Sequence, residues 1–540
     1  MRLTNNSRQA HSKERVLNSL SFNRIVAWAI LVPILAVSLT GCTTKKKTAT
    51  SEAEVTLTIW RAADNQEAFA EIIKEYQSDN PNVKINVVYD EKWKDDPELY
   101  RQASIDALST GKGPDIWSVR NDWMAYDHNK LRPAPDGALA AYAAKDYANE
   151  TNSTIVQKTL VPVVAKDGLY NCENKTLVQA LDINSIASTD LSKCEVYGLP
   201  MSVDTLGLYI NQSIIEQALT ALSQTNKVTQ SLSPETLTKL KKILTNGPST
   251  WTDLVDVAPY ITVMSGNAIS TSEVAMGTGS NIEQAPGIIA SILMQSGAEI
   301  IKSDLSAATF DLPKSGSVGD EYPGVSAMQF YSNFARPLKI NSSDANPLYT
   351  WNNSFSSAKD AFATNKLAMI FEDSRFASEL VYRKSTVKTT IKPMPQLNAN
   401  EPKVYGSYWF ETVTNNSKNS AYAWDFLSYA AIKNAKAYLS NTKRTSALLG
   451  QYNEKAEGTD VFVSQANKAD SWYKGRDPNG VDSIVRQWAD NVISGPNTSD
   501  TLTTETRSAA AQITTILQSS QQIVESTATS SSSTSSTTSQ

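Results

Sequence analysis

The chain has 540 residues, a formal net charge of −5 and an apolar share of 41%. That length allows two to four units of about 150 residues each, with apolar content enough for sizeable buried cores. A mildly acidic chain with only two histidines excludes the basic face that nucleic-acid binding calls for, and leaves little scope for a histidine-based metal site.

Met1–Arg24 is polar and carries Arg2, Arg8, Lys13, Arg15 and Arg24 against one acid, Glu14. Ile25–Leu39 is then apolar apart from Pro33 and Ser38. Such a stretch has the length of a signal-peptide core and is short for a transmembrane helix. It runs into Leu39-Thr40-Gly41-Cys42, which resembles a lipobox, the motif cut before its cysteine once the thiol carries diacylglycerol. An uncleaved anchor with an incidental cysteine is the alternative. The motif predicts residues 1–41 as a lipoprotein signal peptide, Cys42 as the lipidated residue and 42–54 as a solvated tether, with the protein held on the extracytoplasmic face of the membrane. Cleavage removes five bases and one acid, a loss of four positive charges that takes −5 to −9.

The folded part opens on Val55, Leu57 and Ile59 alternating with Thr56 and Thr58, a strand period. Phe69, Ile72, Ile73 and Tyr76 follow at helical spacing, with Asp64 or Asn65 able to cap the start. Asp79-Asn80-Pro81-Asn82 breaks that helix before a strand through Val83, Ile85 and Val87. Strand, helix and strand at this spacing form a βαβ unit on a parallel sheet. A helix around Tyr100–Leu108 leads through Gly111-Lys112-Gly113-Pro114 to a third strand at Ile116–Val119. The two glycines lack the third glycine and following Lys-Ser/Thr of a phosphate loop, so they read as a turn. Besides Cys42 only Cys172 and Cys194 remain. In an exported chain with no histidine near them they point to a disulfide, with two free buried thiols as the alternative. Ser526–Gln540 is almost entirely Ser and Thr and is expected to be disordered.

Several segments carry a family resemblance in their order and spacing: Leu57-Thr58-Ile59-Trp60, Asn80-Pro81 before a Val/Ile strand, and Gly113-Pro114-Asp115-Ile116. Tyr197-Gly198-Leu199-Pro200 to Tyr209-Ile210-Asn211 and Pro248-Ser249-Thr250-Trp251 follow. Ala361-Phe362-Ala363 with Lys366-Leu367-Ala368-Met369, then Ser440–Leu448 and Ser471-Trp472-Tyr473, complete the set. Across most of 55–500 the chain resembles the family-1 extracellular solute-binding proteins of ABC importers, the group that contains maltose-binding protein. The resemblance implies an α/β, type II periplasmic-binding-protein-like fold, with two lobes, each a mostly parallel sheet flanked by helices. It places 55–203 plus 374–412 in the first lobe and 204–373 plus 413–525 in the second. Crossings are expected near Pro200–Thr205, Phe371–Arg375 and Trp409–Asn415. The segment 146–195 is longer and more polar than the family pattern.

The function implied is capture of a small solute, a sugar or oligosaccharide, by lobe closure and its delivery to ABC permease subunits. It is expected to act as a monomer without cofactor, metal or enzymatic activity. Sugar recognition asks for flat apolar faces and charged or amide groups for hydroxyls. In open α/β sheets ligands bind beyond the carboxyl ends of strands. The positions that fit are Trp60, Arg61, Asp64, Asp122, Trp123, Asp204, Glu372, Asp373, Tyr408, Trp409, Arg444 and Trp472. Core packing is the alternative for the tryptophans, and capping or a solvated face for the acids. Glu372-Asp373 reads either as cleft contact or as a hinge hydrogen bond. His128 reads as a surface loop residue, and Trp251 and Trp424 as core. A secreted glycoside hydrolase, with Asp122 and Glu372 as its acid and base, is the competing function.

The anchor is directly testable. Cys42→Ser should leave a soluble or unprocessed form. Recovery of that variant in the detergent phase after loss of residues 1–41 would refute the lipid anchor.

Overall fold

The computed structural model describes residues 53–314, 321–449 and 459–532. The signal segment, Cys42, most of the tether and the tail beyond Ser532 lie outside the described residues.

The opening alternation forms β1 (Val55–Arg61), with Leu57, Ile59 and also Arg61 turned inward. The helix Ala70–Asp79 follows a short 3-10 turn, and together they bury Phe69, Ile72 and Tyr76. Neither expected cap operates. Asn65 holds the N-cap position without a side-chain bond, and Asp64 takes a left-handed backbone with φ 65°. After Asn80-Pro81, β2 (Val83–Tyr89) lies parallel to β1. The helix Pro97–Ser109, whose Leu99 N–H is capped by Asp96, leads to β3 (Ile116–Arg120), also parallel to β1.

The remaining strands, in chain order, are β4 (Leu169–Tyr170), β5 (Glu195–Val196), β6 (Leu199–Pro200), β7 (Asp204–Thr205), β8 (Gly207–Asn211), β9 (Val263–Ser265) and β10 (Ala268–Val274). They are followed by β11 (Leu367–Glu372), β12 (Thr389–Pro393), β13 (Val404–Ser407), β14 (Trp409–Val413) and β15 (Ala469–Asp470). One five-stranded sheet has the order β2-β1-β3-β14-β6 and the other β12-β8-β11-β10-β9. Each organises a separate apolar core, the first around residues such as Ile59, Trp117, Phe410 and Trp424 and the second around Leu208, Trp251, Ile289 and Phe371. The fold is a two-lobed α/β architecture. A third sheet, β15-β13-β7, links the lobes, with β13 parallel to β15 and antiparallel to β7.

The division of the chain differs from the expected one. β12 pairs with β8, so 374–406 belongs to the second lobe. β14 pairs with β3, and Ala423–Leu448 packs in the first core, so 409–449 belongs to the first lobe. Phe371–Arg375 is no crossing, because β11 and the helix Phe376–Tyr382 after it both lie in the second lobe. The actual crossings run through β7, through β13, and through β15. A two-residue strand such as β15 carries too short a pattern to be read from sequence.

The insertion is a working part of the first lobe. Its helices Asn152–Thr159 and Pro162–Gly168 bury Ile155, Val156, Val163 and Val164 in that core. β4 and β5 pair antiparallel, and just beyond them the Cys172 and Cys194 sulfurs are bonded across a separation of 22 residues. His128 is half-buried and stacks on Tyr170 at 4.3 Å, not free in a surface loop. Trp251 and Trp424 are fully buried, as read from sequence. The helix Ser499–Ser532 extends into the segment expected to be disordered. Its apolar face at Leu502, Ile513 and Leu517 is fixed in the second core, and the backbone simply continues beyond it. Among the described residues no helix is long and apolar enough to cross a membrane.

Closing a loop of this size stabilises the folded state by about 3 kcal/mol on the chain-entropy model. Cys172→Ser with Cys194→Ser should lower the melting temperature by several degrees, and reductant should do the same to the wild type. Unchanged melting under both conditions would mean that the bond constrains nothing.

Candidate functional site

A cleft of about 820 Å³ lies between the lobes and above the linking sheet. Its walls come from the carboxyl ends of strands, as a sheet of this type dictates. From the first lobe come Asp64 after β1, Arg120 at the end of β3, and Trp409 and Arg444. From the second come Asp373 after β11, Arg375, and the start of the helix Ala285–Ser296. The linking sheet adds Asp204, Tyr405 and Ser407, and Lys474 follows β15.

One ionic chain spans the floor. The inward end of β1 buries Arg61, which pairs with Glu411 on β14 and with Asp64 at 3.2 Å. Phe69 covers the guanidinium at 4.1 Å. Asp64 accepts from Tyr438 at 2.6 Å and from Arg444 Nε at 2.6 Å, and Arg444 also pairs with Asp204. Burial opposes the charge on Asp64, but Arg444 and Arg61 outweigh it and hold the carboxyl down at about 2. For Asp204 burial wins and pushes the carboxyl up despite Arg444. Asp204 Oδ1 is buried and has no partner. Removing one member of such a buried pair leaves the other uncompensated, which costs about 3–5 kcal/mol.

A second cluster centres on Lys474. Its ammonium donates to Asp482 at 2.7 Å, to the Tyr405 hydroxyl at 2.9 Å and to Asp122 at 3.3 Å. These partners raise its pKa against the effect of burial. Asp122 is held by Arg120 at 2.6 Å and its carboxyl is depressed, Arg120 and Lys474 overcoming burial.

Of the twelve positions read from sequence, Asp64, Asp204, Asp373, Trp409 and Arg444 line the cleft. Arg61 lies behind them and orients Asp64. Trp60 is corrected to packing, since it faces Trp93 at 5.3 Å. Trp123 is also core, at 0% exposure, because the helix Asn121–Asp127 starts directly after β3 and turns the ring inward. Asp122 is drawn inward by the same helix. Tyr408 is buried, its hydroxyl donating to Asp167 at 2.8 Å and to the Val163 carbonyl at 3.0 Å. Trp472 lines a separate cavity of about 340 Å³ between the insertion and the second lobe. Glu372 bonds to Gln284 at 3.1 Å inside the second lobe. Neither Asp122 nor Glu372 lines the cleft, so these two do not meet there as an acid–base pair. Arg120, Arg375, Tyr405 and Lys474 were missed. Arg120 follows from the carboxyl-end rule applied one residue earlier, whereas Lys474 carries no local signal.

The chain matches the family model described as bacterial extracellular solute-binding protein over residues 62–436. No curated protein matches it. Among solved structures it is similar to cyclic α-maltosyl-1,6-maltose binding protein from Arthrobacter globiformis, at 16% identity and TM-score 0.59, over 86% of this chain and 100% of that one. UgpB from Mycobacterium tuberculosis, in complex with glycerophosphocholine, gives 14% identity and TM-score 0.59 over 87% and 100%. The GacH receptor of Streptomyces glaucescens, solved unliganded and with acarbose, gives 15% identity and TM-score 0.55 over 86% and 99%. At these identities the likeness is one of fold, the type II periplasmic-binding-protein architecture.

Glu372 supplies a pH test. Burial pushes its carboxyl up to about 8, against the pull of Lys359. A folded pKa above the ordinary 4.5 gives a stabilisation fully present below about 4.5 and lost as pH rises through about 8. In thermal unfolding, Glu372→Gln should show a shallower loss of melting temperature than wild type between about pH 6 and 9. Parallel curves would show that Glu372 does not titrate there.

Proposed function

The chain belongs to the bacterial extracellular solute-binding proteins, and from that membership we propose that it captures a sugar or short oligosaccharide outside the cell and delivers it to ABC permease subunits, tethered through Cys42. The observation that carries this reading is a cleft walled by both lobes, with a partly exposed tryptophan and an unpartnered buried carboxylate oxygen together on it. Trp409 rests edge-on against Trp123 at 5.3 Å, which fixes the ring and leaves a face for the C–H surface of a sugar. Asp204 Oδ1 is an acceptor that only a donor can satisfy, and a ligand hydroxyl is one. A solute that contacts both walls favours the closed arrangement over the open one, which is population shift.

The three similar structures are a cyclic α-maltosyl-1,6-maltose binding protein, UgpB in complex with glycerophosphocholine, and a receptor in complex with acarbose. The fold therefore does not choose the solute. Polarity does more, because the cleft offers two aromatic side chains, Trp409 and Tyr405, among many charged and amide groups.

A thermal-shift screen against maltose, maltotetraose, monosaccharides, polyols and glycerophosphocholine tests the assignment. A ligand at 100 times its Kd should add about 2.7 kcal/mol of stability. Trp409→Ala and Asp204→Asn should abolish the shift while Trp123→Ala lowers the melting temperature itself. A sugar series with no shift, or a shift untouched in both cleft variants, would sink the reading. Release of cleaved products from the sugar would instead favour the hydrolase.

A further inference from the structure

The helix Pro162–Gly168 belongs to the first lobe, yet two of its side chains hold the crossings. Lys166 donates to Asp470 at 2.6 Å and to the Ser471 carbonyl at 3.0 Å. Asp167, next to it and 7% exposed, receives three donors. The Ser471 hydroxyl reaches Oδ1, while the Tyr408 hydroxyl at 2.8 Å and the Asn121 amide at 3.1 Å reach Oδ2. Tyr408 joins β13 to β14 and so lies on the second crossing. Ser471 follows β15 on the third. Asn121 locks the same point from the first lobe, its backbone N–H donating to the Tyr408 carbonyl at 2.9 Å. A single carboxyl thus ties two of the three crossings to one lobe, and Lys474 on the cleft floor lies three residues beyond Ser471.

We propose that Asp167 is a positioning residue for solute capture, and that its protonation tightens the second and third crossings against the first lobe, stiffening the hinge in mildly acidic surroundings. The proposal rests on the solute-capture reading for its purpose, but the hinge response is measured without any solute.

Burial pushes Asp167 up to about 6, against the pull of its three donors and of Lys166. A proton therefore binds the packed node more tightly than it binds any opened form in which Asp167 meets water at its ordinary 3.8. By linkage the packed node is favoured as pH falls through about 6 and loses that advantage as pH rises through it. The neutral form fits the same partners. The new proton lies between Oδ1 and Ser471, whose hydroxyl accepts as well as donates, and Oδ2 keeps Tyr408 and Asn121. The other ionisable groups around the node are Lys166, paired with Asp470, and Tyr170, Tyr408, Asp122 and Tyr473. His128 stacks on Tyr170, and burial lowers its pKa from the ordinary 6.5.

Hydrogen exchange on the solute-free protein tests this. After correction for intrinsic rates, amides in 406–410 and 470–474 should gain protection as pH falls below about 6, by roughly 10-fold at pH 5. The full ratio set by the two pKa values, roughly 100-fold, is reached only below pH 3.8, so the curve rises from an onset near 6 without levelling by pH 5. Asp167→Asn, which mimics the neutral acid, should show no such rise. Ser471→Ala removes a donor to the carboxylate and should move that onset upward. His128→Gln should keep the wild-type curve. A flat wild-type profile, the same rise in Asp167→Asn, an unmoved onset in Ser471→Ala, or loss of the rise in His128→Gln would each overturn the proposal. An empty solute screen would instead overturn the capture reading and leave these curves standing, so the two ideas fail separately.

Discussion

Three strands of two to four residues, β7, β13 and β15, are hydrogen-bonded to one another where the chain passes between lobes. Each alone would be a floppy connector. Paired, they give the two lobes a shared backbone ladder, and every position on the cleft floor is referred to it. Asp204 is on β7, Tyr405 and Ser407 are on β13, and Lys474 is carried by β15. The ladder tolerates little bulk: a Cβ on Gly406 would come within 3.2 Å of the Ala469 Cβ on the neighbouring strand.

Charge follows from this geometry. Strand ends converge at the cleft, so their side chains are crowded and largely dry, and a lone charge there would be expensive. The cleft answers with pairs that reach across elements: Arg61 with Glu411, Arg444 with Asp64 and Asp204, Lys474 with Asp122 and Asp482. Most of these groups are satisfied by one another and contribute shape and orientation. Among these groups Arg61 Nε, Asp122 Oδ1 and Asp204 Oδ1 are buried without a hydrogen-bond partner.

Local periodicity made much of the fold legible. The alternation at Val55–Ile59, the helical stripe through Ile72 and Tyr76, and the break at Asn80-Pro81 all fall where their patterns place them. Trp123 shows the limit of that logic. The strand before it was read correctly, but no pattern in Asn121-Asp122-Trp123 says that a helix begins at once and carries the ring inward. Glu372 failed for a related reason: the strand it ends stays in the second lobe, and only strand pairing, a property of distant residues, reveals this. Tyr408 was placed near a crossing and does lie on one, but its hydroxyl turns to Asp167 in the insertion. Long-range partners of this kind have no signature in a single sequence.

The aromatic packing beneath the cleft gives the molecule an optical property. Trp60 lies 5.3 Å from Trp93, Trp93 lies 5.3 Å from Tyr100, and Tyr100 lies 6.0 Å from Trp409 and 6.4 Å from Trp123. Rings this close pass excitation energy among themselves, and it drains toward the indole in the most polar surroundings. In this group Trp409 is the ring that lines the cleft. A molecule resting on that ring would alter the emission of an indole packed into the whole cluster, an occupancy signal that needs no dye.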